Sequence, residues 1–80
     1  MVRTVIAPQN YYVTVDAFDA NGDVPFTCKT DSLTFMQAGD YAEQAVNYFK
    51  FAMYDHDEWV SLTIEINAPF GVVEVIEIVK

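Results

Sequence analysis

Cysteine, glycine and long apolar runs are scarce in this sequence, and each shortage excludes a class of protein. Cys28 is the only cysteine, so no internal disulfide can form and packing alone must stabilise the fold. The three glycines cannot supply a glycine-rich phosphate loop. Apolar runs such as residues 5–7 are only a few residues long, whereas a membrane-spanning helix needs about 20 residues. We therefore expect no membrane span, no export and a cytoplasmic location, although a secreted protein without disulfides would have the same composition.

Basic residues are also few, and the charge balance bears on possible partners. Four basic residues stand against twelve acidic ones, which gives a formal net charge of -8. A chain of this charge is repelled by phosphates, so we expect no direct binding of nucleic acid. With 80 residues, 52% of them hydrophobic and 15% aromatic, the chain can build one packed core. We predict a single domain over residues 1–80.

Two stretches of strand-like sequence around Asn21 and Gly22 predict a β-hairpin. Residues 11–17 alternate with a period of two, which is typical of a strand with one buried face. Asn-Gly favours a type I′ turn because both of its central residues need positive φ. If these two residues form the turn, residues whose numbers sum to 43 face each other, as Val15 and Cys28 do.

An amphipathic helix is predicted to begin at Asp40, because Asp40 and Glu43 match a capping box. Apolar residues then recur at spacings of three and four. The predicted apolar face consists of Ala42, Ala45, Val46, Phe49, Ala52 and Met53. Acidic residues are unfavourable at the negative end of a helix dipole, so the helix should end near Met53 or Tyr54, before Asp55. For residues 31–39 the sequence indicates only a connection with apolar anchors.

Residues 59–68 and 72–79 predict two further strands, joined by a loop over residues 67–71. The last strand has aliphatic residues on both faces, which is typical of a central strand. Pro25 cannot donate a hydrogen bond to a neighbour, so the second strand should lie at an edge, or at least its first residues should be free of pairing. We predict an α+β fold of ββαββ order, with a four-stranded antiparallel sheet from two hairpins, strand order 2-1-4-3, and one helix packed on one face. Whether residues 1–6 add a fifth strand stays open.

Residues 55–58, Asp-His-Asp-Glu, hold four potential metal ligands. Adjacent residues rarely point at one ion, and the sequence has no second histidine. His56 is also the only conventional base for a serine or cysteine nucleophile. We therefore predict no metal site, no cofactor and no catalytic residue, which means that the protein is not an enzyme.

Aromatic and acidic side chains are the more informative features. Tyr12 and Phe18 fall on the outward face of the first predicted hairpin, and Trp59 lies opposite the aliphatic face of the third strand. Tyrosine and tryptophan are frequent anchors at protein interfaces. The alternative is that each ring is covered by other segments and that the acids serve only solubility. The residues predicted to bind a partner are Tyr12, Asp16, Phe18, Asp55, Asp57, Glu58, Trp59 and Glu65.

The carboxylates could steer a partner protein toward the chain, and the aromatic rings could form the desolvated centre of the interface. We therefore predict a non-enzymatic inhibitor or adaptor that binds a basic, nucleic-acid-handling surface of a partner protein. In size, charge and hairpin-helix-hairpin layout, the whole chain resembles small acidic phage-encoded inhibitors of the anti-CRISPR type. No motif is shared, so no residue role carries over. The resemblance implies a CRISPR effector subunit or another nucleic-acid-binding protein as the partner. The alternative function is a structural or assembly protein that forms a homodimer through a sheet edge or face.

Overall fold

The computed structural model describes residues 2–5 and 7–80, and these form one antiparallel sheet with one long helix. The elements in chain order are strand β1 (Tyr12–Phe18), strand β2 (Phe26–Lys29), helix α1 (Phe35–Ala52) with a 3-10 turn (Met53–Asp55), strand β3 (Ser61–Ala68) and strand β4 (Gly71–Val79). The predicted α+β class and ββαββ order are therefore confirmed. Residues 2–5, part of the segment left open as a fifth strand, form no strand, and Met1 and Ile6 lie outside the described residues.

The strand order is β2-β1-β3-β4, so the prediction that the fourth strand is central is wrong. The central partner of β1 is β3, whose Leu62 and Ile64 are fully buried against the helix side of the sheet. The second aliphatic face of β4 is open instead of buried, and Val75 and Val79 are 58% and 66% exposed. The edge position predicted for the second strand, after Pro25, is confirmed.

The first hairpin has the predicted register but a wider turn. Val15 faces Cys28, as predicted. The type I′ turn is wrong, because residues 19–25 connect the strands and the only positive φ in this connection is that of Gly22, at 84°. The Asp19 carboxylate accepts hydrogen bonds from the backbone amides of Asn21 and Asp23 within the loop, at 2.9 and 3.0 Å. This side-chain capping of the backbone competes with the two-residue turn and opens the loop.

Helix α1 begins at Phe35, and its predicted start at Asp40 is wrong. The N-cap is Thr34. Its Oγ1 accepts a hydrogen bond from the backbone amide of Gln37 at 3.2 Å, and the Gln37 side-chain oxygen accepts one from the backbone amide of Thr34 at 3.0 Å. This reciprocal pair is a capping box of its own. The predicted end is confirmed, because the α-helix stops at Ala52 and one 3-10 turn follows.

The core lies between α1 and the face of the sheet that β1 and β3 present to it. Its buried residues are Val13, Val15, Ala17, Ala38, Ala42, Ala45, Met53, Trp59, Leu62, Ile64 and Ile66. Small side chains on the helix let its backbone lie close to the sheet, and interiors packed in this way tolerate few voids. No helix in the described part of the chain is long and apolar enough to cross a membrane.

Candidate functional site

The structure divides the predicted partner-binding residues between two surfaces. Four of them lie on the sheet face that points away from α1, which we call the open face: Tyr12, Asp16, Phe18 and Glu65. The other four lie in the segment between α1 and β3: Asp55, Asp57, Glu58 and Trp59. The predicted set is therefore not one contiguous site.

The part of the open face that β1 and β3 form is polar and only half exposed. Asp16 faces Thr63 across β1 and β3, which makes Glu65 its diagonal neighbour on the same face. The Asp16 carboxylate accepts a hydrogen bond from the Thr27 hydroxyl. Of these two carboxylates, only that of Asp16 has a hydroxyl partner among the contacts of the described residues.

Lys29 partly covers the open face. Its Nζ lies 4.2 Å from the centroid of the Tyr12 ring, within the range of a cation-π contact. Tyr12 and Phe18 are both half-buried. The ring of Tyr12 is therefore engaged within the chain, and the exposed apolar side chains of the open face, such as Val75 and Val79, belong to β4.

The segment between α1 and β3 lies at the same end of the sheet as the first hairpin loop. Phe18, the last residue of β1, pairs with Ser61, the first residue of β3. The Val60 amide also donates to the Phe18 carbonyl at 2.8 Å. Residues 19–25 and 53–60 therefore leave the sheet side by side.

Carboxylates gather at this end, which we call the acidic end. It carries Asp19, Asp23, Asp55, Asp57 and Glu58. Lys50 in the last turn of α1 and Lys80 just after β4 lie toward the same end, and Lys80 Nζ donates to the His56 carbonyl at 2.8 Å. Five carboxylates against two ammonium groups leave the acidic end negative.

Trp59 is covered, so of the two alternatives for this ring the structure has the buried one. The side chain is 5% exposed. Its amide donates to the His56 carbonyl at 3.1 Å, so residue 59 belongs to a turn that precedes β3 and not to the strand itself. The indole folds back toward α1, where it stacks on the His56 ring with centroids 3.9 Å apart and planes at 9°.

An apolar groove of about 280 Å³ lies beside the indole. We call it the aromatic groove, and it is lined by Phe26, Tyr48, Phe49, Ala52, His56 and Trp59. Ring contacts hold its walls, with centroids 5.3 Å apart for Phe26 and Trp59 and 4.9 Å apart for Tyr48 and Phe49. Tyr48 is 67% exposed, so one wall is an aromatic ring in solvent.

The aromatic groove continues along the helix. A neighbouring hollow of about 300 Å³ shares Tyr48 and Phe49 with it and extends to Tyr41 and Ala45. Contiguous apolar surfaces that are rimmed by polar residues frequently mark interaction sites. The two hollows together form a strip along the side of α1 that faces β2.

The sequence prediction missed this groove. One local indication was present, since residues 41, 45, 48 and 52 recur at spacings of three and four and define one side of a helix. The remaining walls come from β2 and from the turn before β3. Only the tertiary fold brings these three segments together.

His56 and Cys28 are the side chains closest to the conventional chemistry of a base and a nucleophile. His56 Nδ1 lies 3.8 Å from Glu58 Oε1. Within the described residues, no three His, Cys, Asp or Glu side chains are placed to hold a metal ion. Cys28 is half-buried, and burial raises the pKa of its thiol, with the Asp16 charge adding to the increase and the Val15 backbone hydrogen bond opposing it. A raised pKa disfavours the reactive thiolate.

Comparisons of the chain with protein-family models, with curated proteins and with solved structures found no match. We therefore infer the function from the geometry of the site. That geometry joins an apolar, ring-lined groove to a cluster of exposed carboxylates at one end of the molecule.

Proposed function

We propose that this protein is a non-enzymatic inhibitor or adaptor that binds a basic, nucleic-acid-handling surface of a partner protein through the aromatic groove and the acidic end. The observation that carries the proposal is that the two features adjoin. His56 and Trp59 line the groove, while Asp57 and Glu58 stand between them in the chain. Interfaces commonly combine an apolar centre that excludes water with a charged rim that steers the partner.

The position of the acids favours binding over mere solubility. Asp55 and Asp57 follow the C-terminus of α1, where the helix dipole is negative and carboxylates are unfavourable. A solubilising charge is equally effective elsewhere on the surface, at no such cost. Placement against the dipole is therefore expected when the charge has a further use.

A basic partner follows from the sign of the charge. Proteins that bind nucleic acid present lysine and arginine to phosphates, and the same groups pair with carboxylates. A CRISPR effector subunit, the partner implied by the anti-CRISPR-type resemblance, is one protein with a surface of this class. Occupation of that surface would block the nucleic acid by contact, which requires no enzymatic step.

The proposal is tested by competition for a nucleic-acid-binding surface. Purified CRISPR effector subunits carrying labelled nucleic acid are titrated with this protein, and release of the label is followed at low and high salt. We expect release that weakens as ionic strength rises, because screening shortens the reach of the carboxylates to about 8 Å at 0.15 M. Absence of release from every nucleic-acid-binding protein assayed would contradict the proposal.

Charge variants locate the contact. The double change Asp57→Asn with Glu58→Gln should weaken release by about tenfold, since each rim charge contributes modestly. The matched control, Asp31→Asn with Asp40→Asn, removes the same charge from residues that follow β2 and lie within α1. Equal losses from both pairs would indicate a general charge effect and not a site.

A further inference from the structure

The outer edge of β4 is the longest unpaired strand edge of the sheet. β4 has nine residues, and no strand among the described residues pairs with its outer side. The opposite edge is β2, which has four residues, follows Pro25 and carries Lys29. Short strands, prolines and lysines are the usual protection of an edge against pairing with another chain. β4 lacks the proline and the shortness that protect β2.

The backbone hydrogen bonds between β3 and β4 show which residues of β4 turn their N-H and C=O groups toward the free edge. The Lys80 amide donates to the Val60 carbonyl at 3.2 Å, in register with the pairing of Ile78 and Leu62. Antiparallel pairing alternates along a strand, so even-numbered residues of β4 turn their N-H and C=O groups toward β3. Odd-numbered residues, such as Val75 and Glu77, turn theirs toward the free edge.

From these features we infer that β4 pairs with β4 of a second copy of this chain, antiparallel about a two-fold axis, so that two four-stranded sheets become one sheet of eight strands. Outward N-H and C=O groups that pair in this way are the basis of strand addition. The side chains beside them are compatible with it, because the exposed Val75 and Val79 gain cross-strand neighbours on the same face and lose part of their contact with water.

The positions of the charges select one register. A two-fold axis through Glu77 places this carboxylate directly opposite its own copy, which is unfavourable. An axis through Val75 carries the pairing into the irregularity near Val72. An axis through Ile76 leaves Ile76 facing itself and Glu77 facing Val75, and it sets Glu74 diagonal to Lys80 of the second copy. Opposite charges are thus diagonal neighbours twice, Glu77 is diagonal to its own copy once, and like charges are never directly opposed.

This inference is independent of the proposed function. The aromatic groove includes Phe26 of β2, at the other edge of the sheet from β4. Pairing through β4 therefore leaves the aromatic groove of each copy open.

The first test is the molar mass in solution, measured by sedimentation over a range of micromolar concentrations. We expect twice the 9.1 kDa of one chain. Val75→Pro removes an outward N-H without removing a bond to β3, and it should weaken association by about tenfold or more, because one bond is lost from each copy. A wild-type protein that stays at 9.1 kDa throughout would overturn the inference.

The matched control is Thr27→Pro on the other edge. The Thr30 amide donates to the Val13 carbonyl, so residue 27 is an outward position of β2 just as residue 75 is of β4. Thr27→Pro should leave the dimer intact. If Thr27→Pro dissociates the dimer and Val75→Pro does not, the interface lies at the β2 edge, and the inference is contradicted.

A cross-link tests the register without relying on a proline. In a Cys28→Ser background, Ile76→Cys should form a disulfide between copies on mild oxidation, because non-hydrogen-bonded facing pairs have Cα atoms about 4.5 Å apart. Val79→Cys is the control, since residue 79 is far from its own copy in this register and is more exposed. Efficient cross-linking through residue 79 with none through residue 76 would refute the register.

Discussion

Trp59 shows how one residue can serve the core and the candidate site together. Its alternation with Val60 predicts an outward side chain, yet the indole is almost fully buried. The turn from His56 to Trp59 rotates the side chain before β3 begins. Alternation describes residues inside a strand, and it gives no direction for a residue just before one. The sequence therefore supplied both alternatives for this ring, and only the backbone path decided between them.

Replacement of Trp59 should be costly at the level of stability. Trp59→Ala removes a buried ring and leaves a cavity against Phe26 and His56, with an expected loss of about 3 to 5 kcal/mol in the free energy of unfolding. Trp59→Phe keeps a ring in place and should lose less. Urea unfolding followed by circular dichroism measures both, because the change removes the only tryptophan and its fluorescence. A loss below about 1 kcal/mol for Trp59→Ala would mean that the ring is not part of the core.

Cys28 offers a second test at the scale of one residue. Burial raises the pKa of its thiol, so at a given pH below that pKa the folded protein holds less thiolate than the unfolded chain. Alkylation by iodoacetamide, followed against pH, should have a midpoint higher in the folded protein than in the same chain unfolded in urea. A midpoint at or below that of the unfolded chain would contradict the burial of the thiol.

At the scale of elements, alternation predicted the buried faces of β1 and β3, whereas the predicted helix start is wrong. The predicted loop over residues 67–71 is also wrong, because Asn67 and Ala68 belong to β3 and Gly71 belongs to β4. β1 and β3 alternate along most of their length, and their buried faces follow that alternation. The sequence contains two possible capping boxes for the start of the helix, Thr34 with Gln37 and Asp40 with Glu43. Local chemistry does not rank them. The backbone pair between Tyr11 and Leu33 anchors the residue before Thr34 to the sheet, and this long-range contact favours the earlier start.

Substitution of the two possible caps distinguishes them. Thr34→Ala should lower the free energy of unfolding by about 1 kcal/mol, since the orphan amide of Gln37 loses its acceptor. Asp40→Ala should change stability by less than about half of that, because Asp40 lies within the helix and caps nothing. Thermal unfolding of both variants makes the comparison, and a larger loss for Asp40→Ala would restore the later start.

At the scale of the whole molecule, strand order and the candidate site both depend on contacts that periodicity does not contain. Aliphatic residues on both faces of β4 predict a central strand, but β4 lies at an edge of the sheet, and its aliphatic residues on the open face, such as Val75 and Val79, are exposed. The acidic end arises because Phe18 and Ser61 are paired, which brings two separate loops together. Composition indicated the excess of acids correctly, whereas their location required the topology.

The topology also explains why the residues predicted to bind a partner lie on two separate surfaces. Tyr12 and Glu65 share the open face, where Lys29 already contacts the Tyr12 ring. Asp57 and Glu58 lie beside the aromatic groove, which the sequence did not indicate as a site. We therefore propose that the partner binds at the aromatic groove and the acidic end, and not at the open face.

The most direct measurement compares the partner affinity of two aromatic variants by isothermal titration calorimetry, with the nucleic-acid-binding protein identified by the competition assay. Tyr48→Ala removes the exposed wall of the aromatic groove, while Phe70→Ala removes an exposed ring in the turn between β3 and β4, at the other end of the sheet from the acidic end. The account predicts that Tyr48→Ala weakens binding by about thirtyfold or more, as expected for an aromatic anchor, and that Phe70→Ala leaves it within about twofold. Equal affinities for Tyr48→Ala and the unaltered protein would contradict the assignment of the aromatic groove as the binding site.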